Sequence, residues 1–236
     1  MKLKLIYLYP EIMNTYGDRG NVMLLEARAK DYGIEISTDY YTLGDQLDLT
    51  QYQLLFFGGG QDKGQNLIAR DLMYHKAQLS DAVKRGIAGL LVCGGYQMLG
   101  SEVGLADGGV LEGLSILPVK TLVGKNRKIG NLLVQSEQFG SLVGFENHSG
   151  NTILDQSGKA LAQTIKGYGN NDSAIDEGII YRNLIGTYMH GPFLPKNIQV
   201  ADWLLSRAVG KDLLTNTQSS LYKVSISARE SVLGAL

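Results

Sequence analysis

The stretch from Ile87 to Gly100 constrains the fold more than any other. Its apolar run, residues 87–92, ends in Cys93, the single cysteine of the chain. Gly94 and Gly95 follow at once, and residues 96–99 can open a helix. A strand that runs through a tight turn straight into a helix lifts the turn residue above the end of a sheet. Glycine next to that residue lets backbones approach closely. A cysteine that only fills a core has no use for this pattern. The helix N-terminus behind a thiol also favours its ionised form. Cys93 therefore reads as a nucleophile on an elbow.

The chain on either side alternates strands and helices. Residues 3–9 form a first apolar strand closed by Pro10. A polar cluster follows, with Glu11, Asn14, Tyr16, Asp18, Arg19 and Asn21, and then a helical pattern over 22–32. Capping and turn chemistry explain such residues, but the ends of strands in open parallel sheets are also where ligands sit. Strands are expected at 34–41 and 53–57, the latter running into Gly58, Gly59 and Gly60. Three glycines there expose backbone N–H groups that can face an oxyanion. A long amphipathic helix is expected over 66–84, with His75 on its surface, ended by Gly86. Further strands are expected at 116–123, 129–136, 142–146, 161–165 and 184–189, and a closing helix at 197–209. Lys125 to Lys128 and Glu146 to Gly150 read as polar turns, and the last twenty residues are weakly patterned. The sum is an α/β fold with a mostly parallel central sheet flanked by helices, read as a single domain over 1–236.

Composition narrows the classes of function. Among 236 residues, 22 Lys and Arg stand against 23 Asp and Glu, so no basic groove for nucleic acid is expected. One cysteine rules out an internal disulfide framework and fits a reducing compartment. No apolar run approaches the ~20 residues that span a bilayer, and the N-terminus lacks the pattern of a signal peptide. A cytoplasmic protein without membrane insertion is expected. No P-loop pattern occurs, so no nucleotide site, metal or cofactor is expected in this chain.

A thiol nucleophile needs a base within reach. Of three histidines, His190 lies at the end of a strand, on the same sheet edge as Cys93, whereas His148 sits in a polar stretch. His190 is the expected base. The backbone N–H of Gly94 and one from the Gly59–Gly60 turn would form the oxyanion hole. Such a pair performs acyl transfer through a thioester.

Cys93-Gly94-Gly95-Tyr96-Gln97 resembles the C-G-x-x-Q nucleophile motif of class I, or triad, glutamine amidotransferases. Further stretches narrow the resemblance: Tyr9-Pro10-Glu11, Asn14 to Asn21, Gly58 to Asp62, Cys93 to Gly100 and Glu146 to Gly150. Together they resemble the glutaminase subunits of lipid II isoglutaminyl synthases, in the CobB/CobQ-like branch. The resemblance implies hydrolysis of L-glutamine to glutamate and ammonia. It implies a heterodimer with a MurT-type Mur ligase subunit, which holds nucleotide, Mg²⁺ and lipid substrate and amidates D-glutamate of the lipid II stem peptide. It also places Arg127 on the glutamine α-carboxylate, with Gln97, Gly60 and Gly94 at the substrate. Two other readings stay open: an amidotransferase of the cobyrinic acid type, and a non-catalytic subunit of the same fold.

One departure stands out. Class I enzymes carry a glutamate two residues after the base, and here that position is Pro192. No acid follows His190 until Asp202 in the last helix. An imidazole without an orienting acid is a poor base. The acid must come from elsewhere in the chain, with Glu11, Asp18 and Glu146 as candidates, or from the partner, as the resemblance implies.

Overall fold

The run from Lys2 to Leu8 forms strand β1 (Lys2–Leu8), and its last four residues are all buried. Strands buried on both faces belong to parallel sheets covered by helices. The structure, a computed structural model that describes residues 2–173 and 175–234, contains such a sheet. After β1 come α1 (Arg19–Asp31), β2 (Glu35–Tyr41), β3 (Leu54–Phe57), α2 (Asp62–Tyr74), α3 (Lys76–Arg85), β4 (Ala88–Val92) and the short α4 (Gly94–Met98). The chain continues through β5 (Glu102–Gly104), β6 (Val110–Glu112), β7 (Val119–Ser136), β8 (Gly140–Leu154), β9 (Ala162–Lys166) and β10 (Asp176–Glu177). It closes with β11 (Ile179–Tyr181), β12 (Leu184–Thr187), α5 (Ile198–Val209) and α6 (Ser220–Gly234).

The central sheet has the order β11-β12-β4-β3-β1-β2, and only β11 runs antiparallel. β3 and β4 are buried throughout, which is why their sequences read as unbroken apolar runs. The strands between residues 102 and 177 form a second sheet, ordered β10-β9-β7-β5-β6 with β8 paired to β7. Its backbone is the antiparallel hairpin of β7 and β8. One cluster of buried side chains runs through both sheets, from Leu5 and Phe56 to Leu132 and Leu142.

Four sequence expectations are corrected here. Lys125 to Lys128 do not join two strands: they belong to the single strand β7, whose register against β8 shifts between Val123 and Lys128. Glu146 to Gly150 likewise lie inside β8 and are not a turn. The helix expected over 66–84 is two helices, broken at His75. His75 is buried, not on the surface, and its Nε2 is 2.7 Å from the Tyr41 hydroxyl. That hydroxyl and the hydroxyl of Tyr9 both donate to Asp71, tying the ends of β1 and β2 to α2.

The weakly patterned C-terminus is helical, and a buried cation anchors the segment before it. Arg28 of α1 is fully buried and bonds Asp202 of α5 through Nε and Nη2, at 2.7 and 3.0 Å. Its Nη1 donates to the Asn216 carbonyl and the Ser219 hydroxyl. Buried charges stay ionised only when paired and hydrogen-bonded. Asp202 is thus spent on Arg28. Among the described residues no helix is long and apolar enough to cross a membrane.

Candidate active site

β4 delivers Cys93 to the C-terminal edge of the central sheet. Its backbone sits at φ 48° and ψ −106°, outside the regions an L-residue prefers. Such strain persists only where the surroundings enforce it. Here the Cys93 N–H donates to the Thr187 carbonyl at 2.8 Å, and its own carbonyl accepts the Gln97 N–H at 2.9 Å. A Cβ on Gly95 would stand 2.5 Å from the Phe57 carbonyl oxygen, so only glycine lets α4 start this close to β3.

His190 follows β12 and is 1% exposed. Its Nδ1 lies 3.2 Å from Oδ1 of Asp18, which is wholly buried. The other Asp18 oxygen accepts the Gly59 N–H at 2.8 Å. A carboxylate of this chain therefore does face His190, although no acid follows His190 closely in the sequence. It comes from 172 positions earlier, just before α1. Pro192, where the family's glutamate would stand, packs on α1 instead: a Cβ on Gly20 would meet its ring at 2.5 Å.

Gly59 sits at the centre of this group. A Cβ there would be 2.6 Å from His190 Cε1, 3.2 Å from Asp18 Oδ2 and 3.3 Å from Cys93 Cβ. Because its N–H is bonded to Asp18, it is not available to an oxyanion. That leaves the N–H groups of Gly60 and Gly94, and the Gly60 nitrogen is 3.1 Å from where a Gly94 Cβ would stand.

Electrostatics follow from this packing. Burial alone would pull the His190 pKa down. The negative form of Cys93 and the hydrogen bonds with Asp18 and Cys93 outweigh that and push it up to about 10. The imidazole thus holds its proton across the neutral range. His148 behaves in the opposite way: burial draws its pKa down, against the pull of Glu146. Its Nδ1 faces the Gly150 carbonyl at 3.1 Å, and its ring stacks on Tyr188 at 3.5 Å.

Cys93 and His190 open onto a cavity of about 440 Å³ that Gly60, Gln97, Arg127 and His148 also line. Gln97 reaches it from α4, its side chain held by Tyr188 and Gln65. Arg127 reaches it from the register shift of β7, its Nε donating to Asn147 Oδ1 at 2.6 Å. Asn147 in turn donates to the Tyr16 hydroxyl at 2.5 Å, and the Tyr16 ring lies edge-on to His190. Gly94, buried beside Gly60, is not part of the lining. The fold thus brings Cys93, His190, Gly60, Gln97 and Arg127 to one cavity, and from the polar cluster after β1 it brings Asp18 and Tyr16 against His190. Among the described residues no group of three or more His, Cys, Asp and Glu side chains could hold a metal ion.

Residues 4–198 match the CobB/CobQ-like glutamine amidotransferase domain. Over 207 residues the chain is 40% identical to the GatD subunit of lipid II isoglutaminyl synthase (glutamine-hydrolyzing) of Staphylococcus aureus strain N315, covering 88% of this chain and 84% of that one. The chain belongs to the CobB/CobQ-like glutamine amidotransferases, in the GatD family. The GatD subunit of Streptococcus pneumoniae strain R6 is 38% identical over 224 residues, 94% of this chain and 86% of that one. A glutamine amidotransferase of Thermotoga maritima, 16% identical, shares the fold with a TM-score of 0.58 over 98% of this chain and 94% of that chain. As a GatD-family protein the chain is a subunit, which implies a partner.

Proposed function

We propose that the chain hydrolyses L-glutamine with Cys93 as nucleophile, His190 as acid and base, and Asp18 as the acid that orients His190. The observation that carries this reading is His190 held against buried Asp18 beside the strained Cys93, at the edge of a cavity. The Cys93 thiolate attacks the side-chain carbonyl carbon, and the oxygen takes up the negative charge facing the Gly60 and Gly94 N–H groups. His190 gives its proton to the departing nitrogen, the C–N bond breaks, and ammonia leaves a thioester. His190 then takes a proton from water, the hydroxide adds to the thioester carbonyl, and glutamate departs as the Cys93 sulfur is released. Arg127 meets the α-carboxylate of glutamine and Gln97 supports the substrate side of the elbow.

The ammonia passes to an ATP-dependent ligase subunit of the MurT type, which amidates D-glutamate in the lipid II stem peptide. The GatD relatives, subunits of a lipid II isoglutaminyl synthase, support that assignment. The chain acts as one catalytic unit over 1–236, in the cytoplasm where lipid II precursors and ATP are available.

Exchange of the two cavity histidines tests the assignment of roles. His190→Ala is expected to lower kcat about 10²–10⁴-fold, the usual contribution of general acid–base catalysis. His148→Phe, which keeps a ring on Tyr188, is expected to cost far less. The reverse order would move the site to His148. Arg127→Ala is expected to leave kcat near its wild-type value and raise KM for glutamine by ~1.5–3 kcal/mol of lost charge-assisted bonding. An unchanged KM would return Arg127 to the solvated surface.

A further inference from the structure

Glu177, at the end of β10, is fully buried and belongs to the second sheet, not to the cavity lining. Its Oε1 accepts the Thr187 hydroxyl at 2.5 Å and the Tyr188 N–H at 2.9 Å. The Thr187 hydroxyl oxygen accepts the Met189 N–H at 3.0 Å, and the Thr187 carbonyl accepts the Cys93 N–H at 2.8 Å. One carboxylate oxygen therefore fixes Thr187 and Tyr188 directly and Met189 through the Thr187 hydroxyl, the three residues that precede His190, and the first of them also holds the elbow. Oε2 has no partner. A buried carboxyl with one oxygen unsatisfied costs stability, and an apolar side chain of similar volume would fill the same space at lower cost. Burial pushes the Glu177 pKa up to about 7, as that cost requires.

We propose that Glu177 is a positioning residue for the Cys93–His190 pair, acting through Thr187, Tyr188 and Met189. The proposal rests on the reading of Cys93 and His190 as the reacting pair. A carboxyl is suited to the task because a single oxygen can accept two bonds from adjacent residues, which no apolar side chain can. The bonds also survive protonation, since the proton goes to the partnerless Oε2. The titratable groups around Glu177 are Glu146 and Tyr96. Those around His190 are Asp18 and Cys93, with the Tyr16 ring beside them.

The test compares Glu177→Ala, Glu177→Gln and Thr187→Val with wild type in the assembled protein. It reads kcat and KM for glutamine per folded molecule, and the alkaline limb of the pH profile that reports loss of the His190 proton. Glu177→Ala should lower kcat about 10–100-fold, the cost of misplacing reacting groups by about an ångström. KM should stay within about twofold, and the alkaline limb should move toward neutrality as the His190–Asp18 contact loosens. Glu177→Gln keeps an oxygen at the Oε1 position and should restore both kcat and the limb. Thr187→Val, nearly the same shape without the hydroxyl, should behave like the alanine variant and decides the matter if that variant fails to fold. Wild-type kcat and limb in Thr187→Val, or a glutamine variant as impaired as the alanine one, would overturn the proposal. If instead Cys93→Ser kept its activity, the underlying reading of the site would fail, whatever Glu177 does.

Discussion

Replacing Asp18 with asparagine should lower kcat for glutamine hydrolysis by as much as ~10⁴-fold, the loss seen when the orienting acid of a triad becomes an amide. Asp18 Oδ1 faces His190 Nδ1 while Oδ2 holds the Gly59 N–H. An asparagine has one oxygen for these two duties. If its NH₂ turns to His190, the imidazole takes the wrong tautomer, with Nδ1 as acceptor and its proton on Nε2. The pH profile should change as well. The wild-type His190 pKa, raised to about 10, keeps the imidazolium that protonates the departing ammonia, and activity on this account falls off only as pH rises through that value. Asp18→Asn removes two of the contributions that raise the pKa, so the alkaline limb should shift downward. An unchanged kcat and profile would mean that the orienting acid comes from another chain.

Cys93→Ser should abolish hydrolysis, by as much as ~10⁶-fold, the loss found when the nucleophile is removed from a working triad. A serine hydroxyl does not ionise near neutrality, and the imidazolium of His190 pairs with a thiolate, not with an alcohol. The fold should survive, because the backbone bonds of Cys93 to Thr187 and Gln97 do not involve the side chain. Thermal unfolding close to wild type with no glutamate released is the expected pair of results.

The elbow was legible in the sequence because its constraints are local. A buried strand, a strained turn and glycines under close neighbours each leave a mark within a few residues of Cys93. The central sheet was legible for the same reason, since its inner strands are apolar throughout. Asp18 was legible only as one of three candidate acids, with Glu11 and Glu146, because nothing near His190 announces a partner 172 residues away, and a lone acid before a helix also reads as a cap. Arg127 and the 146–150 stretch were misplaced in turns because β7 and β8 are polar on both faces where they line the cavity, with Lys128, Glu146 and His148 at buried positions, so the apolar–polar alternation by which half-buried strands are recognised is missing there. His75 was lost differently: apolar residues keep helical spacing across the break, so the pattern hides the bend that buries it. The final helix escaped notice because Ser225 is the one buried side chain in it, and it donates to the Pro195 carbonyl.

Covalent labelling tests the central claim, that Cys93 attacks the glutamine carbonyl within a site built by this chain. The protein is incubated with a diazo-ketone analogue of glutamine, and the modified residue is mapped by mass spectrometry of its peptides. One equivalent of label on Cys93, blocked by excess glutamine and slowed in both His190→Ala and Asp18→Asn, is the predicted result. Label on any other residue, or labelling of Cys93 at the wild-type rate in both variants, would contradict it.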